Sequence, residues 1–269
     1  MAQNFAHRDY SHTQKKTGGS GGGARTSRDR ARRELSQNFL VDARAVDLVV
    51  RTARPSGLVL EPGAGEGALT RALVRHASHV TAYEIDPLLA LKLKAGGFDV
   101  VRGDFTKARP PREPFAVVGN IPYSITSRIV DWCLRAPTLT SATLLPQREY
   151  ARKRSGDYGR WSKVTVETWP WFTWRLGATI SRTSFRPVPS VDSSILRLER
   201  RETPLLPDPT GWQELVDLGF TGVGGSLRAS LKTRHTHVDA ALHRAGLNHN
   251  TLVGHVHPDQ WITLFRCLR

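Results

Sequence analysis

An amide, a proline and an aromatic ring stand together in Asn120-Ile121-Pro122-Tyr123, directly after the apolar run Phe115-Ala116-Val117-Val118. Proline has no N–H and biases the residue before it toward extended backbone, so the run ends here and the tetrapeptide is a turn at a strand's C-terminal end. These residue types suit one difficult reaction, transfer of an electrophilic group to the exocyclic amine of a nucleobase. The lone pair of that amine is delocalised into the ring, and it becomes nucleophilic only when acceptors hold its hydrogens and favour tetrahedral character. The Asn120 side-chain carbonyl is one such acceptor, and the Ile121 main-chain carbonyl, directed by Pro122, is another. The ring of Tyr123 offers a face for the base to stack on, worth about 1–3 kcal/mol, and stacking needs the ring rather than the hydroxyl. No strong base is required, because the proton becomes acidic as the group arrives. An ordinary Pro-Tyr turn would account for Pro122 and Tyr123, but not for an amide at a strand end facing a ligand crevice.

The elements that must position this turn follow from the rhythm of the chain. From Gly57 the runs LVLEPG, HVTAYEID, FDVVRGD, FAVVGN and ATLLPQ read as strands, and ALTRALVRHA, PLLALKLKA and ITSRIVDWCLRA read as helices between them. Nearly continuous apolar strands separated by helices imply a parallel sheet covered on both faces. WPWFTWRL and VDSSILRLER follow with a Pro-rich loop between them, so the last two strands pair antiparallel. TPLLPDPT then reads as a linker, and GWQELVDLGF, SLRASLKT, VDAALHRAG and DQWITLFRCL as short helices of a small all-α domain. Residues 1–34, with their TGGSGGGA stretch and no apolar periodicity, read as a disordered basic tail. The domain boundaries are therefore 1–34, 35–202 and 203–269.

Ligands of a doubly wound sheet bind beyond the carboxyl ends of the strands. The first such end carries Gly63, Gly65 and Gly67 leading into a helix, the second Glu84 and Asp86, the third Asp104. A glycine loop alone also fits a tight strand-to-helix turn. Joined to an acid about 20 residues on, which can accept from both ribose hydroxyls, it points to an adenosine cofactor. Gly-x-Gly-x-Gly is not the dinucleotide spacing, and Glu61 just before the loop would repel a diphosphate while attracting a sulfonium or an ammonium group. S-adenosyl-L-methionine has both. Asp104 is placed to accept a hydrogen bond from the exocyclic amine of its adenine.

Charge points to the partner. The formal net charge is +15 over 269 residues. The tail supplies eight Lys or Arg against three acids, and the remainder belongs to the folded part, which indicates a polyanion, either nucleic acid or an acidic membrane surface. No apolar stretch reaches membrane-spanning length and no signal-peptide core is present, which argues for a cytosolic protein. Cys133 and Cys267 read as buried reduced thiols. Six of the ten histidines fall between His235 and His257, without cysteines beside them, and read as solvated or nucleic-acid-facing rather than metal-binding.

SQNFLVD (36–42), EPGAGEGALT (61–70), YEIDP (83–87), GDF (103–105), NIPYSIT (120–126) and FRPVPSVDSSILRL (185–198) resemble, in this order, the rRNA adenine-N6 methyltransferases. That family includes the erythromycin-resistance (Erm) enzymes and the small-subunit dimethyladenosine transferases. The resemblance covers residues 35–200 with specific motifs and the helical tail more loosely. GRWSKVTVETWPWFTWR (159–175) is similar to the Erm branch, which acts on 23S rRNA. The resemblance implies a Rossmann-like class I methyltransferase sheet, mostly parallel with the last strand antiparallel, and a small C-terminal all-α domain. It implies that Asn38, Leu40, Gly63, Gly65, Glu84, Asp104 and Asn120 bind the cofactor, with no metal. It also implies that Asn120 through Tyr123 hold the target amine and that Phe185 closes the other side of the adenine. The implied product is a mono- or dimethylated adenine lining the peptide exit tunnel, which blocks macrolide, lincosamide and streptogramin B binding. SITS (124–127) is a mild departure from the family's usual continuation, and the family motifs do not explain the long Gly-rich basic tail.

A basic run follows the fifth strand, with Arg148, Arg152, Lys153, Arg154, Arg160 and Lys163 against Glu149 and Asp157. Such a run is usually a solvated helix face, but this one lies beyond a strand end on the reactive side, and the six residues are expected to make rRNA phosphate contacts. Trp161, Trp169, Trp171 and Trp174 read as core rather than base-stacking residues, and alternation along a strand puts the last three in the core or on the sheet surface. The expected protein is a cytoplasmic monomer acting on 23S rRNA before full ribosome assembly. The alternatives are a 16S rRNA dimethyladenosine transferase of ribosome biogenesis and a non-catalytic RNA-binding assembly factor.

Overall fold

The computed structural model describes residues 38–222 and 225–269; the basic tail expected over 1–34 lies outside them. A two-residue strand, β1 (Phe39–Leu40), leads into α1 (Ala43–Ala53). Asp42 starts this helix by accepting from the Arg44 N–H at 2.9 Å, and Val46, Val49, Val50 and Ala53 give it a buried stripe. The parallel strands follow in the expected places: β2 (Leu58–Pro62), β3 (His79–Glu84), β4 (Asp99–Arg102), β5 (Phe115–Gly119) and β6 (Leu139–Leu144). Between them lie α2 (Ala68–Leu73), α3 (Pro87–Ala95) and α4 (Thr126–Arg135). The acid at the end of YEIDP has a local reason: Asp86 Oδ1 accepts from the N–H groups of Leu88 and Leu89, and Pro87 occupies the first helical position, where its missing N–H costs nothing.

After α5 (Arg148–Ser155) and α6 (Lys163–Thr168) come β7 (Phe172–Ile180), the short β8 (Phe185–Arg186) and β9 (Ser193–Arg200). The main sheet has the order β4-β3-β2-β5-β6-β9-β7. β9 runs antiparallel to both β6 and β7, as the change of rhythm predicts. β8 leaves the sheet and pairs antiparallel with β1, a contact that local sequence pattern does not reveal. Val59, Val117, Ala142, Leu144, Leu196 and Leu198 are fully buried, because helices cover both faces of the sheet.

The helices α7 (Trp212–Gly219), α8 (Leu227–Lys232), α9 (Val238–Arg244) and α10 (Pro258–Leu268) surround Trp212, Trp261, Leu231, Leu242 and Phe265. Val166 of α6 belongs to the same cluster, and Trp161, Trp169 and Trp171 pack on its edge. Ser36–Arg269 is accordingly one compact unit. Of the four tryptophans expected in the core only Trp174 is buried; Trp161, Trp169 and Trp171 are partly covered, and Trp169 and Trp171 precede β7 instead of alternating along it: α6 ends at Thr168 and Pro170 interrupts the chain before the strand starts. Cys133 is fully buried, and burial pushes its thiol well above the usual range, whereas Cys267 is only partly covered. Among the described residues no helix is long and apolar enough to cross a membrane, and no group of three His, Cys, Asp or Glu could hold a metal ion.

Candidate active site

The strand order reverses between β2 and β5, because β2 continues to β3 and β4 on one side while β5 continues to β6 on the other. A crevice beyond the carboxyl ends is the geometric result. Gly63, Gly65 and Gly67 cross it with φ of 68°, 58° and 78°, a left-handed backbone that other residues adopt at a cost. A side chain at Gly65 would also meet the Phe39 ring at 2.8 Å. Asn38, Phe39, Gly63, Gly65, Glu84 and Asn120 through Tyr123 line the crevice, whose volume is about 30 Å³.

Two acids stand where the strand ends predict. Glu84 is 1% exposed. Its Oε2 accepts from the Gly65 N–H at 2.7 Å and its Oε1 from the Asp86 N–H at 2.8 Å. The carboxylate thus braces the glycine loop. Burial raises its pKa, against the opposing effect of these main-chain bonds. Asp104 Oδ1 accepts from the Thr106 N–H at 2.9 Å and its hydroxyl at 2.7 Å, while Oδ2 lies 3.4 Å from Arg128 Nη2. Partial burial pushes the Asp104 carboxyl up, but Thr106 and the Arg128 and Lys107 charges outweigh it and hold it below the usual range. Glu61, at the end of β2, is 2% exposed with no partner for Oε2 among the described residues, and burial raises its pKa to about 8.

Asn120 follows β5 directly, and its Nδ2 donates to the Asn38 carbonyl at 2.7 Å. A carbonyl can be paired only with the N–H side of the amide, so the Oδ1 side is turned away from Asn38. Pro122 has φ −59° and ψ 131° and opens a single 3₁₀ turn, Tyr123–Ile125, which runs into α4. Tyr123 is half-buried, and its hydroxyl is hydrogen-bonded to Ser193 Oγ at 2.8 Å. The hydroxyl, to which the stacking role assigns no part, ties the ring to the first residue of β9.

Two expected site residues face the core instead. Phe185 is fully buried and Leu40 is 4% exposed, paired with each other across β1 and β8 and packed with Val46, Leu145 and Ile195. Neither residue is among those that line the crevice. The aromatic ring that reaches the crevice is Phe39, one residue earlier in SQNFLVD, which sequence reasoning missed. Alternation along β1 is the signal that would have found it, since neighbours on a strand point to opposite faces.

The basic run divides in two. Arg152 lies over the Tyr158 ring at 3.5 Å and pairs with Asp157; Arg154 donates to Ser162 Oγ at 2.9 Å. Both have partners within the segment that joins α5 to α6. Lys163 is exposed but sits 2.6 Å from Asp217. Arg148, Lys153 and Arg160 are exposed. A cavity of about 810 Å³ lies apart from the crevice, between α4, α5 and α6, with Arg128, Arg135, Tyr150, Arg154 and Trp171 in its walls.

The chain matches the family described as ribosomal RNA adenine dimethylase over residues 28–269. It is 55% identical over 253 residues to an rRNA adenine N-6-methyltransferase of Streptomyces fradiae, covering 89% of this chain and 79% of that one. It is 41% identical over 250 residues to the mycinamicin-resistance protein MyrB of Micromonospora griseorubida, covering 88% and 79%. The crystal structure of the 23S rRNA methyltransferase ErmE superposes with a TM-score of 0.82 at 50% identity, over 86% of this chain and 99% of that one.

Proposed function

The chain belongs to the ribosomal RNA adenine dimethylase family, and from that premise we propose that it transfers methyl from S-adenosyl-L-methionine to N6 of one adenine in 23S rRNA. The modified base confers resistance to macrolides, lincosamides and streptogramin B. The observation that carries this reading is the Asn120 amide, whose N–H side is committed to Asn38 and whose acceptor side remains for an incoming amine.

The donor set fits the cofactor. Left-handed glycines bring main chain close, and Glu84 and Asp104 offer acceptors at two successive strand ends. When bound, the cofactor supplies an electrophilic methyl group. The protein's own residues do the rest. Asn120 Oδ1 and the Ile121 carbonyl accept the hydrogens of the target amine and localise its lone pair. Tyr123 holds the base by stacking, with its ring fixed through Ser193. The base must leave its stack to arrive there, at a cost of a few kcal/mol. The enzyme works in the cytoplasm as a monomer, on rRNA not yet fully assembled. Exposed Arg148, Lys153 and Arg160 make phosphate contacts.

Reverse-transcription stops and nuclease-fragment mass spectrometry on both large rRNAs from expressing cells test this. A methylated adenine in 23S rRNA and an unchanged 16S rRNA are expected. Modification confined to 16S rRNA would make the chain a small-subunit dimethyladenosine transferase, and no modification would make it a non-catalytic assembly factor.

A further inference from the structure

Arg128 stands in the first turn of α4, just past the Asn120–Tyr123 turn, yet its guanidinium reaches across to the residues after β4. Nη2 donates to Thr106 Oγ1 at 2.8 Å and lies 3.4 Å from Asp104 Oδ2. Thr106 passes the contact on, since its N–H and its hydroxyl both donate to Asp104 Oδ1, at 2.9 and 2.7 Å. The helix that carries Arg128 is held in place independently. Phe105 packs on Trp132 with ring centroids 4.4 Å apart, and Trp132 Nε1 donates to the Ala108 carbonyl at 2.9 Å. Asp104 is therefore gripped at Oδ1 by Thr106, and its other oxygen is steered by a cation on a fixed helix.

We propose that Arg128, acting through Thr106, is a positioning residue that sets the cofactor site's selectivity for a 6-amino over a 6-oxo purine. The inference rests on the assignment of Asp104 to the cofactor's adenine. A 6-amino group donates to a carboxylate oxygen, whereas a 6-oxo group brings an acceptor against an acceptor. Selectivity then depends on how firmly the carboxylate is kept facing the purine edge, and the relay from Arg128 supplies that firmness. Its side chain is 59% exposed, so the contribution is modest and screened by solvent.

The test is calorimetric titration of the full chain with S-adenosylhomocysteine and with its 6-oxo counterpart, S-inosylhomocysteine. Both ligands meet the same folded fraction, so the ratio of their affinities is insensitive to partial unfolding of a variant. Asp104→Asn should bring the ratio close to one. Arg128→Gln and Thr106→Val should each lower the wild-type ratio by about three- to tenfold, with little further loss when combined, because they interrupt one relay. A collapsed ratio in Asp104→Asn with an unchanged ratio in Arg128→Gln would overturn the inference alone. An unchanged ratio in Asp104→Asn would remove the adenine assignment, and the inference with it. Failure of the wild type to bind S-adenosylhomocysteine would remove the methyltransferase reading itself.

Discussion

The hydroxyl of Tyr123 and the hydroxyl of Ser193 are 2.8 Å apart although 70 residues separate them in the chain, and Ser193 is fully buried. The bond joins the turn after β5 to the start of β9 and fixes the plane of the ring. Tyr123→Phe keeps the stacking face but leaves the Ser193 hydroxyl buried without its partner, a loss of about 1–3 kcal/mol in stability. Ser193→Ala removes the other half. The two changes together should cost less than their sum, measured as a double-mutant cycle on both unfolding and kcat/KM. Tyr123→Ala should lose a further ~1–3 kcal/mol in catalytic efficiency through the stacking face. A Tyr123→Phe enzyme equal to wild type in both measurements would leave the ring as the only part that matters.

Exposure, rather than basicity alone, separates the residues of the run after β6. Lys153→Ala with Arg160→Ala should weaken RNA binding and flatten its salt dependence by a slope of about 1.8, the effect of two phosphate contacts. Arg152→Ala should instead lower the unfolding temperature, because the guanidinium holds Tyr158 and Asp157 together. Filter binding over a salt series and thermal unfolding of both variants distinguish these roles. The division fails if Arg152→Ala alters only the salt slope.

Glu61 gives the fold a pH dependence of definite sign. Burial raises its pKa from 4.5 to about 8, with the nearby Glu84 charge acting the same way. The native state therefore keeps a proton that the unfolded chain has already released, and stability falls as pH rises between those values, by at most ~1.4 kcal/mol per pH unit for one proton. Its contribution is complete below the lower value and lost as pH passes the upper. Glu61→Gln should remove this slope, so denaturant curves of variant and wild type should diverge in the variant's favour from pH ~5.5 to ~7.5. Parallel pH profiles would show that Glu61 does not titrate in this window.

Glu84, Asp104 and Asn120 were legible as polar residues ending apolar strands, because a parallel sheet buried on both faces leaves a polar group no place in the run except its end. The antiparallel β9 was legible for a related reason, since only a loop separates it from β7 and a parallel return needs a crossover. What stayed hidden depends on contacts between distant segments. The pairing of β1 with β8 is only two residues long, yet it decides that Phe39 enters the crevice while Leu40 and Phe185 go to the core. Likewise, six basic residues in a run look equivalent until Asp157, Tyr158, Ser162 and Asp217 are seen to occupy three of them. The Asn38 carbonyl, which orients the Asn120 amide, is a main-chain group and leaves no mark on residue type.

The most direct measurement of the central claim is single-turnover methyl transfer by Asn120→Ala at saturating cofactor and RNA, with the modified nucleotide identified by mass spectrometry. Asn120 Oδ1 matters most as charge develops on the target amine, so the rate constant should fall by about 100-fold or more while the dissociation constant for RNA stays at its wild-type value. A variant that methylates N6 of the same adenine at the wild-type rate would contradict the claim that this amide, held by Asn38, activates the amine.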